Sequence, residues 1–566
     1  DASGATLAKR QQVVNHLLEH IYDHTHFTDL KNIAGTFSPE AATSIYTDDM
    51  EELRDGRLLE QHHWFSLFNT RQRMLFEVLI HCKSWECFLD NAAYFRERMN
   101  EGEFVYAIYV AVIHSGIGHG IVIPPIYEVT PHIFTNSEVI NKAYSAKMTQ
   151  TPGRFNMDFT GTKKNKEQRV AYFGEDIGMN IHHVTWHMDF PFWWKDSYGY
   201  HLDRKGELFF WVHHQLTARF DSERISNWID VVDEIHWSCI EGFAPHTSYK
   251  YGGEFPARPD NVHFEDVDGV ARVRDSRIRD ALAHGYLLDN SGNKSSVYSP
   301  NVQYYGAIHN TAHIMIGRQG DHKFDMPPGV MEHFETATRD PSFFRLHKYM
   351  DNIFKEHKDS LPPYTKNDIA VPGVVIDSVA QLKTFFDTFE VNLGNAKVAD
   401  VAISADVHRI NHEEFSYNID ISNTDKIFIC PVKDDNGIMD KFYKSIDPGT
   451  NHIVRKSVDS SVTVPDRQYA LDLHMFERSC GIPNRDMIII ESRPDGMDFA
   501  LFVTVDDPEE IGATHSQHGI KKYPDKKPMG YPVDRSIPDN RVFLESPNIK
   551  RTYVKVFHDE HGGEQH

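Results

Sequence analysis

Two histidine pairs, His183 with His187 and His309 with His313, recur at a spacing of four residues. On an α-helix, positions four apart share a face, so each pair can aim two imidazoles at one point. A metal wants at least a third ligand. Each pair is followed by a further helical segment bearing a histidine, His213 in FFWVHHQL and His347 in FFRLHKYM, which gives two sets of three. Ligation by neutral imidazoles alone suits copper, with zinc second, whereas dinuclear hydrolase sites prefer bridging carboxylates.

Spacing by itself discriminates poorly in a chain with 35 histidines. His16, His20 and His24 repeat it beside Asn15, Glu19 and Asp23, on what reads as a wet helix face. His408 and His412 repeat it in a β-rich region, where four residues do not make a helical turn. The six chosen histidines differ in their neighbours. Phe209, Phe210, Leu216 and Phe220 share the stripe of His213, and Phe343, Phe344 and Met350 that of His347, so both faces point inward. His214 shares its stripe with Ala218, Asp221 and Trp211, which favours His213 as the ligand. His182 has Trp186 four residues on and reads as packing or as support for a ligand. A lone buried histidine is ordinarily a hydrogen-bonded core residue. Two complete triples argue against that reading for the six.

The elements that must position them follow from periodicity. Residues 7 to about 115 carry helical patterning, as in Leu17, Leu18 and Ile21, Leu67, Phe68, Leu75, Phe76 and Leu79, and Phe104, Tyr106, Ile108 and Tyr109. Gln150-Thr151-Pro152-Gly153 and the polar run from Gly161 to Lys166 read as a linker. Four long segments, around 168–190, 206–232, 300–318 and 342–357, hold all six histidines and predict a helical bundle with an interior metal site. From about 365 the texture turns to short β-rich runs, Val371–Ile376, Lys397–Ile403, Lys426–Val432, Met487–Glu491 and Phe499–Val505, which predict an antiparallel sandwich. The expected domains are 1–160, helical; 161–365, the bundle; and 366–566, the sandwich. This is a multidomain α and β chain.

Bulk properties narrow the partners. At 566 residues the chain is too long for one core. A net charge of −23 disfavours a nucleic-acid partner. No run reaches the roughly 18 apolar residues of a membrane span. Asp1 stands where a start codon would place Met, so the chain reads as a processed, secreted protein. Of five cysteines, Cys82 and Cys87 are close enough for a local bridge, leaving Cys239, Cys430 and Cys480 as one pair plus one. Asn293-Lys294-Ser295 matches a glycan acceptor sequon.

FGEDIGMNIHHVTWHMDFPFWW with ELFFWVHHQLTARFD, and NVQYYGAIHNTAHIMIGRQG with ETATRDPSFFRLH, closely resemble the first and second copper-binding regions of arthropod haemocyanins of the crustacean type. HHWFSLFNTRQR, AAYFRERMNEGEFVYA, TSYKYGGEFPARPDNVHFEDVDGVA and ERSCGIP extend the resemblance over essentially the whole length. Against typical members the chain is short by several tens of residues, near 51, 241, 293, 435, 467 and 515. The resemblance implies a helical N-terminal domain, a central four-helix-bundle dicopper domain and a C-terminal antiparallel immunoglobulin-like β-sandwich. It makes His183, His187 and His213 ligands of the first copper, and His309, His313 and His347 ligands of the second. It also implies oxygen transport in haemolymph: dioxygen bound reversibly as peroxide bridging two coppers, Cu(I) without oxygen and Cu(II) with it. Assembly would be into homo- or hetero-hexamers or their multiples. The alternative is a phenoloxidase using the same coppers, and a third reading is a storage protein of the superfamily without copper. By resemblance Phe68, in WFSLF, is the aromatic residue placed over the copper pocket, where it would occupy the space of a phenol and leave at most latent oxidase activity.

Overall fold

The computed structural model describes residues 4–22, 65–68, 73–162, 164–250, 253–260, 262, 265–289, 291, 294–295, 301–318, 327–376, 383–394, 401–412, 416–423, 427–428, 445–456, 493–506 and 527–559. The first part is helical, with α1 (Gly4–Leu18), α2 (Arg73–Ile80), α3 (Trp85–Arg96), α4 (Glu101–His114) and α5 (Ser137–Thr149). Ser84 caps α3 by accepting the Cys87 N–H, and a Cys82–Cys87 disulfide closes the same turn, as the sequence led us to expect. Helix α4 starts on the Asn100 side chain, which accepts from Gly102 and Glu103 N–H. It is buried on nearly every side, the pattern of a central rather than a surface helix.

Gln150, at φ +52, ends α5, and the stretch expected as a linker continues into a strand, β1 (Gly153–Met157). The bundle follows, with α6 (Ile177–Asp189), α7 (Lys205–Ser226), α8 (Glu265–His284), α9 (Ile308–Gly317) and α10 (Pro341–Ser360). Helix α7 stops at Ser226, six residues before its apolar periodicity does. Asp221 accepts the Val232 N–H at 2.6 Å and Arg224 donates to the Asp230 carbonyl at 2.6 Å, folding the chain back so that Ile229 and Val232 bury without a helix.

The C-terminal strands are β2 (Val375–Ile376), β3 (Lys383–Asn392), β4 (Ile403–His412), β5 (Ser416–Asn423), β6 (Gly449–Lys456), β7 (Met497–Thr504) and β8 (Ile549–Asp559). They form a five-stranded sheet of order β1-β4-β3-β8-β7 and a three-stranded sheet of order β6-β5-β2. Ile376, Ile419, Ile421, Ile453, Leu501, Val503, Val554 and Val556 fill the space between as a separate core. Pairing is antiparallel except where β1 runs parallel to β4 and β8 parallel to β3. The strand runs did not announce those two junctions. The first of them sews the segment after α5 to the C-terminal sheet, and Val391, Ile403, Ala405 and Val407 join the helical core. Met487–Glu491, Cys430, Cys480 and Asn293 lie outside the described residues.

Candidate metal centre

Four helices deliver the six histidines. Asp176 starts α6 by accepting the Met179 N–H at 2.8 Å, and nearly every residue from 177 to 189 is buried, so His183 and His187 lie in the interior whichever way they face. Helix α7 supplies His213, α9 His309 and His313, and α10 His347. Asp340 caps α10 with Pro341 in its first turn. The Asp340 carboxylate is held in turn by two bonds from Arg258, at 2.6 and 2.8 Å, a buried ion pair.

The histidines form two groups, His183, His187 and His213, and His309, His313 and His347, and within each group the candidate ligand atoms all lie within 4.8 Å of one another. His183 Nδ1 donates to the Phe334 carbonyl at 2.8 Å, and His213 Nδ1 to the Phe209 carbonyl at 2.7 Å. A neutral imidazole has one proton, so in both rings Nε2 carries a bare lone pair. These two Nε2 atoms face each other at 3.4 Å, and His187 Nε2 approaches His183 Nε2 at 3.0 Å. Protonation cannot relieve the facing lone pairs, because burial holds His183 down to about 4 and His213 well below its ordinary range. A cation reconciles them, so this donor set fits a metal. The second group matches: His313 Nδ1 donates to the Met331 carbonyl at 2.7 Å, His309 Nδ1 to Asn310 Oδ1 at 2.9 Å, and His309 and His347 bring their Nε2 atoms to 3.4 Å.

The groups touch. The His213 and His347 rings stack at 4.2 Å and 13°, and Phe343 lies 5.0 Å from His183 and 4.3 Å from His347. Phe209 packs on His213 and His309, and the His187 ring lies flat on Phe334 at 3.8 Å. From the N-terminal part, Phe68 stacks on His313 at 5.2 Å and meets Phe334 at 5.3 Å. Its segment is tied down by the bond from Leu67 N–H to the Glu332 carbonyl.

All six predicted histidines are thus brought together, with Phe68 at their edge. His214 points away and donates to Asp351 at 2.8 Å. His182 is buried outside both groups. His16 belongs to neither, His408 and His412 sit on β4, and His24 lies outside the described residues. Sequence reasoning missed residues 330–334, whose backbone carbonyls orient one ring in each group. Such acceptors leave no side-chain signature. The usable signals were Gly317 and Gly329, whose backbones meet at 2.6 Å and lock this segment to α9; a Cβ on Gly317 would lie 2.7 Å from Glu332.

Fold and site together define a protein whose helical bundle carries two adjoining all-histidine groups, each able to hold a metal ion. Three family descriptions cover the chain in order: "Hemocyanin, all-alpha domain" over residues 7–116, "Hemocyanin, copper containing domain" over 125–354 and "Hemocyanin, ig-like domain" over 363–558. The chain belongs to the haemocyanin family. It is 58% identical, over an alignment 652 positions long, to "Hemocyanin B chain" of Panulirus interruptus, covering 99% of each chain. Among solved structures, a scorpion haemocyanin in an activated state matches with TM-score 0.77 at 33% identity, over 88% of this chain and 93% of that one. A crustacean hemolymph-type prophenoloxidase matches in fold, with TM-score 0.81 at 24% identity over 97% of each.

Proposed function

We propose that the chain carries dioxygen reversibly on two copper ions, one held by His183, His187 and His213 and the other by His309, His313 and His347. The observation that supports this ligand set best is the pair of Nε2 lone pairs on His183 and His213, which face each other with no hydrogen between them. When bound, a copper pair would supply the one-electron redox chemistry that reversible dioxygen uptake needs.

The chain's own residues do the rest. Carbonyls of Phe209, Met331 and Phe334 fix three rings with Nε2 inward, which removes reorganisation from binding and release. Burial keeps the imidazoles neutral, the form that ligates. Phe209, Phe334, Phe343 and Trp186 pack against the rings and present them with side chains that do not ionise.

Oxidation of phenols at the same centre is the rival reading. Phe68, stacked on His313, supports carriage because its ring occupies space that a phenol would need beside the second group. The same reading places the protein in haemolymph as hexamers or multiples of hexamers. Metal analysis with oxygen titration tests it: two coppers and one dioxygen per chain, released as pressure falls, are expected. Fast turnover of a diphenol by untreated protein, without proteolysis or detergent, would reverse the ranking.

A further inference from the structure

Behind the metal centre lies a cavity of about 390 Å³ that the oxygen chemistry does not use, within the roughly 300–1,000 Å³ of ordinary small-molecule sites. Its walls come from α7, α10 and residues 529–540 of the C-terminal part. One wall is aromatic: Trp211 and Phe210, with Gly530 so close to Trp211 that a Cβ would lie 2.7 Å from its ring. The other walls hold polar and charged groups of both signs, with Arg535, 3.6 Å from Asp534, sharing that carboxylate with Lys358. Lys355 meets Asp359 at 3.1 Å, Lys358 meets Asp534 at 3.2 Å, and His214 donates to Asp351 at 2.8 Å.

Two features decide what such a cavity takes. A ligand of one charge finds part of this lining opposed to it, whereas a ligand carrying both charges finds a wall group of opposite sign for each. An aromatic or aliphatic body then has Trp211 and Phe210 to lie on. The position also matters. His214 follows His213 directly, Asp351 stands one helical turn beyond His347, and the His214–Asp351 bond crosses between the helices on which His213 and His347 stack at 4.2 Å. A group inserted between His214 and Asp351 spreads α7 from α10, and with them the two groups of histidines.

We propose that this cavity binds a small dipolar molecule, an ammonium and a carboxylate on one apolar skeleton, with the ammonium taking Asp351 and the carboxylate taking Lys355. Occupancy lowers oxygen affinity, because dioxygen must reach both histidine groups at once. This second statement rests on the oxygen-carrier reading; the first does not.

The test uses the copper-loaded full chain and L-phenylalanine as probe, with 3-phenylpropionate and 2-phenylethylamine as its single-charge analogues. Calorimetry is expected to show one site per chain, with both analogues weaker by about tenfold, the loss of one charged contact. Lys355→Glu, at a largely exposed side chain, and Asp351→Asn should each weaken L-phenylalanine by a similar factor. Saturating L-phenylalanine should raise the half-saturation oxygen pressure about fivefold, the lower end of ordinary coupling between sites. No binding of L-phenylalanine, or equal binding of either analogue, overturns the site. Binding that leaves the oxygen curve in place overturns the coupling. Calorimetry reads the cavity even in protein that takes up no oxygen, so failure of the carrier reading shows separately.

Discussion

His213 is tied to two neighbours at once, through its Nδ1–H to the Phe209 carbonyl and through its ring face to His347. Replacing it with Ala removes a ligand from the first group alone. Copper analysis of His213→Ala should therefore fall from about two ions per chain to about one, with the second group still loaded; loss of both would mean that the groups do not bind independently. The rings also set an acid response. Unfolded, His183 takes a proton near 6.5; folded, burial delays this to about 4, and His313 to about 3. His187, His213, His309 and His347 are pushed well below the ordinary value in the same direction. The folded state therefore binds fewer protons across this window, so stability is full above 6.5 and falls as pH drops toward about 4. Glu335 and Asp189, each raised to about 7 by burial, and Asp221 and Glu332, raised in the same direction, oppose this, but His132, His182 and His333, lowered by burial to about 4, 3 and 3, add to the six rings. Copper-free protein should melt at a lower temperature at about pH 5 than at about pH 7; a flat or rising profile would contradict the burial of neutral rings.

At the scale of elements, residues 327–340 matter as much as the four helices. They present the Met331 and Phe334 carbonyls to the two groups and end on Asp340, which Arg258 holds in a buried pair. Arg258→Ala leaves that carboxylate buried and unpaired, a loss of about 3–5 kcal/mol. A clear drop in melting temperature and faster copper loss to a chelator should follow; unchanged copper retention would show that the segment does not orient the rings. Phe68→Ala opens the edge over His313 without touching a ligand, and should raise diphenol turnover about tenfold or more while copper content holds. The helices were legible because their apolar periods survive in sequence, as in FFWVHHQL and FFRLHKYM. What was not legible was backbone: two carbonyls that hold rings, and a helix end at Ser226 set by the side chains of Asp221 and Arg224 rather than by a break in pattern. Strands β3, β5, β6 and β8, and all of β4 but Ile403, fall outside the β-rich runs for a related reason. GTNHIVRK buries only Ile453, so its composition reads as loop.

Over the whole molecule, the two histidine groups sit at a junction between parts. Phe68 reaches them from the N-terminal part, the bundle supplies the six rings, and the C-terminal sheet is sewn on through β1, where Gly153 to Met157 pair in parallel with Ile403 to Val407. The three-part order was readable from changes in texture along the chain, but β1 was not, since five residues after a Pro-Gly turn carry no strand signal until β4 lies beside them. Sedimentation of the native protein should give a particle of six chains, or a multiple, each chain of 65.3 kDa; a single chain at working concentration would remove the assembly from this account. The central claim is that six neutral histidines hold a copper pair that takes up dioxygen and returns it. Optical absorption of the copper-loaded protein tests this most directly: a near-ultraviolet band should appear under oxygen and vanish under vacuum, cycle after cycle. Copper-loaded protein whose spectrum ignores oxygen, or whose band never bleaches, would contradict it.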